Sequence, residues 1–228
     1  MPVILTLQEK EHLIDNVWAF RFIPSEPQTW VAGQYMSVDL PHDNPDGKGT
    51  KRWFTISSAP FESFMQITTR ITDSSFKQAL STLPIGGHLD LLDQPHGMFV
   101  WQETDKPLVF IAGGIGITSF RSILRQRAHD NLPLTAHLIY ANRTNDIAFK
   151  EELDGYVLKD PKFKLDYVVG EPLTAARVTQ LVPDINSALV YISGSIPLVA
   201  MGNDLKLAGL PIDQFKQDFY PAYTDKNY

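Results

Sequence analysis

The sequence predicts two domains, a small antiparallel β-barrel over residues 1–103 and a doubly wound α/β domain with a parallel sheet over residues 104–228. Three observations carry that prediction. Short stretches of alternating polar and apolar residues, separated by turn-forming clusters, fill the first part of the chain. A continuous apolar run, Leu108-Val109-Phe110-Ile111-Ala112, comes later and reads as a strand buried on both faces. Between them lies Glu103-Thr104-Asp105-Lys106-Pro107, a polar stretch ending in proline that marks the boundary.

In the first domain, residues 17–22 alternate and residues 33–40 give a second period-two run. Residues 41–49, rich in Pro, Asp, Asn and Gly, mark an exposed loop. Strands are expected at 53–57, 65–71 and 88–92, and a helix at 74–83 that places Phe76, Leu80 and Leu83 on one side. In the second domain the apolar strand at 108–112 runs into glycines, and a helix is expected at 118–128. A strand at 134–140, a helix at 148–158 and strands at 164–169 and 189–192 continue the pattern. Strand and helix alternating through short loops is the signature of a parallel sheet covered on both faces.

Composition narrows the function. The 20 Lys+Arg against 26 Asp+Glu give a formal net charge of −6, which argues against a nucleic-acid partner. Lys48, Lys51 and Arg52 form a short basic loop, the kind of feature usually just solvated. No cysteine is present, so disulfides, thiolate zinc sites and cysteine-ligated iron–sulfur clusters are excluded. The six histidines lack metal-ligand spacing, and no metal is expected. The opening residues hold no signal-peptide apolar stretch, and no run is long enough to span a bilayer, so a cytoplasmic protein is the expectation.

Two segments carry chemistry. Ile111-Ala112-Gly113-Gly114-Ile115-Gly116-Ile117-Thr118 follows a buried strand and opens a helix. Glycines there let the backbone approach a pyrophosphate, and the helix start offers unpaired N–H groups and a favourable dipole. Thr118 is placed to cap that helix or to bond a phosphate oxygen. Earlier, Arg52-Trp53-Phe54-Thr55-Ile56-Ser57-Ser58 reads as one strand that turns Trp53 and Phe54 to opposite faces.

In order and spacing these segments resemble the ferredoxin–NADP reductase superfamily, whose flavin motif is Arg-x-(Tyr/Phe)-(Ser/Thr) and whose nicotinamide motif is Gly-Gly-x-Gly-x-Thr. The resemblance extends to Ala32-Gly33-Gln34-Tyr35, Pro95-His96-Gly97-Met98-Phe99, Tyr140-Ala141-Asn142-Arg143 and Tyr191-Ile192-Ser193-Gly194. It implies that the barrel binds flavin, as FAD, and that the α/β domain binds NADH or NADPH as co-substrate. By the same resemblance Arg52 pairs with flavin phosphate, Trp53 and Phe54 belong to the flavin-contact strand with Phe54 stacked on the isoalloxazine, and Thr55 lies near flavin N5. Thr69 and Ser75 fall near the FAD diphosphate, although Thr72-Asp73-Ser74-Ser75 lacks the glycine that FAD-retaining members place before that serine. Gly114, Gly116 and Thr118 cradle the dinucleotide, Asn142, Arg143 and Gly194 join the cofactor-binding set, and Ser193 stands where many relatives carry cysteine. The C-terminal Phe215 to Tyr220 resembles the family's tail, making Tyr220 the aromatic that covers the flavin, with Phe219 and Tyr223 as alternatives. Thr55, Ser193 and Tyr220 are thus the catalytic candidates.

Arg143 favours NADPH and Glu171 opposes it, and the balance tips towards NADH. The implied activity is hydride transfer from NAD(P)H to bound FAD and electron delivery to a redox partner protein such as a ferredoxin. One alternative treats free flavin as the acceptor substrate. Another is a non-catalytic electron-relay subunit of a larger complex.

Overall fold

The computed structural model describes residues 3–219. It divides into two compact units, the first running to Trp101 and including Arg121–Gln126, the second comprising Gln102–Phe120 and the residues from Arg127 onwards. The division thus differs from a simple cut at 103/104, because six residues of a helix expected in the second domain group with the first.

In the first unit the elements are β1 (Val3–Ile14), β2 (Val17–Pro24), β3 (Tyr35–Asp39), β4 (Lys51–Thr55), β5 (Met65–Arg70), α1 (Ser75–Thr82) and β6 (His88–Leu91). They form an antiparallel sheet of order β4-β3-β6-β1-β2-β5. Its two ends meet where the chain leaving β4 reaches β5: the Ser57 N–H donates to the Gln66 carbonyl at 2.9 Å. That contact makes the sheet barrel-like, as closure leaves fewer unpaired edges. The core holds Leu5, Leu7, Phe20, Phe22, Met36, Ile67 and Leu89, and α1 adds Phe76 and Leu80 from the face its spacing predicts.

Strand β1 is not legible in the apolar pattern, yet it is the longest element of the barrel at 12 residues. Leu5 and Leu7 alternate inward, but Glu9, Lys10 and Glu11 then interrupt the pattern. The Arg21 guanidinium on β2 pairs with Glu9 at 2.6 Å and Glu11 at 2.7 Å, so the charged half of the strand is supported across the sheet.

This unit also contains a buried ionic cluster. Arg121 and Glu62, each with a side chain only 6% exposed, approach to 3.5 Å, and Arg125 pairs with Glu62 at 2.7 Å. Arg121 donates to the Ser57 carbonyl at 2.6 Å and Ser122 Oγ to the Ser58 carbonyl at 2.7 Å. Glu62 also accepts from the Ala59 N–H at 2.8 Å. The segment just after the Arg52–Thr55 strand is therefore held by its carbonyl oxygens.

The second unit contains β7 (Leu108–Gly113), α2 (Ile117–His129, with its middle in the first unit), β8 (His137–Asn142), α3 (Lys150–Lys159), β9 (Lys164–Val169), α4 (Ala175–Leu181), β10 (Leu189–Gly194), α5 (Ile196–Leu207) and β11 (Phe215–Phe219). The five strands are parallel in the order β11-β10-β7-β8-β9. Every residue of β7 and of β10 is buried, as the unbroken apolar runs require. The expected helix at 148–158 starts two residues later, because Phe149 sits at φ +60° and ends the preceding turn. The C-terminal segment expected only as an aromatic tail includes a fifth strand, β11, paired with β10.

Glu62→Gln would strip Arg121 of its carboxylate partner in a buried setting. We expect a loss of about 3 kcal/mol, read as a lower urea midpoint at unchanged slope.

Candidate functional site

The α/β unit gathers its chemistry at the C-terminal ends of β7, β8 and β10, where parallel sheets of this kind present ligand sites. Strand β7 ends in a single tight turn, Gly114–Gly116, that leads into α2. Gly114 holds φ +47°, a left-handed value that glycine adopts without strain. Gly116 is fixed by contact: a Cβ there would lie 2.1 Å from the Ser193 carbonyl oxygen and 2.8 Å from Gly194 Cα. The Tyr140 hydroxyl donates to the Gly114 carbonyl at 3.0 Å, anchoring the turn from β8.

Thr118 does not cap α2. It lies one residue inside the helix, and its hydroxyl donates back to the Ile115 carbonyl at 3.0 Å. Beside the turn, Ser193 is fully buried on β10, and its Oγ has no hydrogen-bond partner among the described residues. The side-chain nitrogen of Asn142, at the end of β8, is also buried without a partner. Gly194 closes β10 and is buried with it. Buried polar groups are nearly always satisfied, so the two orphans, at the ends of the strands on either side of β7, stand out as atoms a polar ligand could meet. Arg143 and Glu171 are both exposed, just beyond strand ends tied by the Gly170 N–H to the Asn142 carbonyl at 3.0 Å. A cation and an anion thus flank the same strand ends.

On the barrel, the predicted strand places its residues as alternation requires. Trp53 is 67% exposed, whereas Phe54 is half-buried with its ring 5.6 Å from Phe76. Thr55 is buried at the end of β4, and Thr69 is buried in β5. Ser75 is the first residue of α1. Tyr220 and Tyr223 lie outside the described residues, as does the side chain of Phe219.

Arg52 and Ser75 are indeed brought together, and between them stands a residue the sequence did not single out. The Asp46 carboxylate accepts from Arg52 Nη2 at 2.9 and 3.2 Å, from the Lys48 N–H at 2.9 Å and from the Ser75 N–H at 3.2 Å. Ser74 Oγ donates to it at 3.3 Å. Arg52 Nη1 is shared by the carbonyls of Lys48, Gly49 and Lys51, and the guanidinium lies over the Phe76 ring. Ser75 Oγ accepts from the Asp46 N–H at 2.8 Å and faces His42 Nε2 at 3.0 Å. Asp46 went unnoticed because it is one Asp in a Pro/Asp/Gly loop, and nothing in its neighbours announces the ion pair.

These bonds hold the Asp46 carboxyl down to about 2, the Lys48 N–H contributing most, then the Ser75 N–H and the Arg52 charge. A depressed carboxyl contributes stability that is complete above the ordinary Asp range and fades as pH falls through about 2. Carbon-detected NMR titration should therefore show Asp46 ionised throughout the working pH range. Arg52→Ala should raise its midpoint only part of the way to the ordinary value, since the backbone donors remain.

Comparison with known proteins agrees with this geometry. Residues 110–203 match the oxidoreductase NAD-binding domain family. A flavohemoprotein of Burkholderia sp. (strain TH2) is 28% identical over 225 residues, covering 90% of this chain and 56% of that protein. An NAD(P)H-flavin reductase of Aliivibrio fischeri is 29% identical over 155 residues, 63% of this chain and 61% of that protein. The chain thus spans less than two thirds of the length of these relatives. The ferredoxin-NADP+ reductase structure from Plasmodium falciparum superposes with a TM-score of 0.80 at 18% identity over 96% of both chains, a likeness of fold. The fold is a barrel-like antiparallel unit followed by an α/β unit with a parallel sheet, and the family match falls on the second. Residues 110–203 thus resemble an oxidoreductase NAD-binding domain, and the whole chain has the fold of that ferredoxin-NADP+ reductase.

Proposed function

We propose that the chain is an NAD(P)H-dependent flavin reductase: the α/β unit binds the reduced nicotinamide coenzyme, and its hydride passes to a flavin on the barrel. The observation that carries this reading is the glycine turn after β7, flanked by strand ends where buried Ser193 Oγ and the Asn142 amide nitrogen have no hydrogen-bond partner among the described residues. A carboxamide and a pyrophosphate together supply the donors and acceptors such a place needs, and Gly114 and Gly116 let a pyrophosphate approach the backbone. Ser193 would orient the nicotinamide ring, since hydride transfer depends on alignment more than on proton movement. In the barrel Phe54 would supply the ring contact and Thr55 a hydrogen bond near flavin N5, with exposed Trp53 on the opposite face of the same strand. Thr118 supports the turn through its bond to Ile115.

The fate of the electrons has two readings. Arg52 and Ser75 are already satisfied by Asp46, which favours a flavin that exchanges as a substrate over a firmly held FAD. The NAD(P)H-flavin reductase relative from Aliivibrio fischeri supports that reading by its name. Resident FAD passing electrons to a ferredoxin-like protein is the second reading, favoured by the ferredoxin-NADP+ reductase likeness. Of the coenzymes, the adjoining Glu171 carboxylate disfavours a 2′-phosphate despite Arg143, so NADH is the preferred donor.

An absorption spectrum of the purified protein separates the two readings. A colourless protein that oxidises NADH only when flavin is added supports the exchangeable flavin; a yellow protein bleached anaerobically by NADH supports the resident one. Failure of both NADH and NADPH to reduce flavin under either condition overturns the enzyme reading. Gly116→Val forces apart the turn and the Ser193 carbonyl. It should raise the nicotinamide KM by about tenfold or more, the equivalent of about 1.4 kcal/mol, while flavin binding followed by fluorescence stays as it was.

A further inference from the structure

We propose that Asp46 is a built-in anion filling the phosphate-receiving position of the flavin half-site, so that the chain selects a flavin without phosphate, such as riboflavin, over FMN and FAD. The inference rests on the flavin reading above and concerns which flavin that site accepts.

Beside the exposed Lys48 and Lys51, four receivers for a phosphate lie together near the Phe54 strand: the Arg52 guanidinium, the N–H of Ser75 at the start of α1, and the hydroxyls of Ser74 and Ser75. Asp46 engages every one of them: its carboxylate takes Arg52 Nη2, the Ser75 N–H and the Ser74 hydroxyl, and its own N–H takes Ser75 Oγ. The remaining arm of Arg52 is spent on loop carbonyls. A planar guanidinium and a helix N-terminus are just the groups that a phosphate monoester seeks, and a carboxylate satisfies both by the same charge-assisted bonds.

The loop is anchored rather than draped. The Leu40 N–H donates to the Thr50 carbonyl at 3.0 Å and closes the base of the loop. Within it, the Gly49 N–H donates to the Asp46 carbonyl at 2.8 Å and the Lys48 N–H to the Asp46 side chain. His42 holds its own orientation through the Leu40 carbonyl at 2.7 Å while its Nε2 meets Ser75 Oγ. A phosphate arriving here must either expel the carboxylate, breaking all these bonds, or sit beside it and bear like-charge repulsion. The ribityl chain of riboflavin ends in a neutral hydroxyl and meets neither obstacle. The depressed Asp46 carboxyl agrees, since the group is fully ionised whenever the enzyme works.

The test uses the purified full chain and the fluorescence quenching of riboflavin, FMN and FAD, without nicotinamide. Wild-type protein should bind riboflavin at least about tenfold more tightly than FMN or FAD, a conservative figure for one unscreened like-charge contact. Asp46→Asn keeps the shape and removes the charge, and Asp46→Ala removes the side chain. Each should shrink the FMN-to-riboflavin ratio of dissociation constants to within about threefold, with thermal melting reporting that the variants are folded. FMN or FAD binding to wild-type protein as tightly as riboflavin overturns the assignment to Asp46 and leaves the flavin reading standing. A ratio unmoved in folded variants does the same. If both variants fail to fold, the wild-type ratio alone decides. If none of the three flavins binds, the flavin reading falls and the proposal with it.

Discussion

The α/β half of this protein depends on the contact between Gly116 and the carbonyl of Ser193. No side chain fits at 116, because even a Cβ would stand 2.1 Å from that oxygen. The glycine lets the turn after β7 lie directly against the end of β10, and Tyr140 fixes the same turn from β8 through the Gly114 carbonyl. Three strand ends and one helix start are thereby drawn to a single place. Beta-11 extends that arrangement: Asp218, in register with Ser193, accepts from Ser119 Oγ at 3.1 Å and ties the last strand to the start of α2. The burial of Ser193 goes with the same close packing, and its Oγ has no hydrogen-bond partner among the described residues.

Much of this framework was legible in the sequence because its elements obey simple periods. The strand at 108–112 announces itself by an unbroken apolar run, and α1 by Phe76 and Leu80 one turn apart. The turn after β7 is legible because glycine alone suits the left-handed φ at 114 without strain and the close contact at 116. Strand β1 hid because Glu9 and Glu11 face Arg21, and an ion pair across a sheet carries no apolar signature. The same holds for Glu62 with Arg121, which are buried although their types are usually exposed. Thr118 shows the limit in another way: its position beside the glycines suggested a cap, but the helix starts one residue earlier and turns the hydroxyl inward.

The candidate flavin residues were legible as a list and not as an arrangement. Arg52, Phe54, Thr55 and Ser75 sit in one sheet and its adjoining helix, as their order in the chain suggests. What the list could not convey is that Arg52 already has an anion. Asp46 lies six positions away, across a loop whose composition speaks only of turns, and pairing at that range depends on how the loop closes at Leu40 and Thr50. Local periodicity has no access to such a contact.

The two candidate places differ in how their polar groups are met. Around Gly116 the protein tolerates buried groups without partners, a cost of about 1–3 kcal/mol for each such group that a ligand with matching donors and acceptors removes. At Arg52 Asp46 supplies the countercharge from within the chain. On the proposed function, a coenzyme at the first place would supply the hydrogen bonds that Ser193 Oγ and the Asn142 amide lack. On the same proposal, a flavin at the second would gain none from Arg52 unless it displaced a carboxylate, and its binding would come from the ring contact with Phe54 and from neutral groups. Affinity at the first place is polar in origin and at the second largely apolar, and that difference follows from one aspartate in a loop and one glycine in a turn.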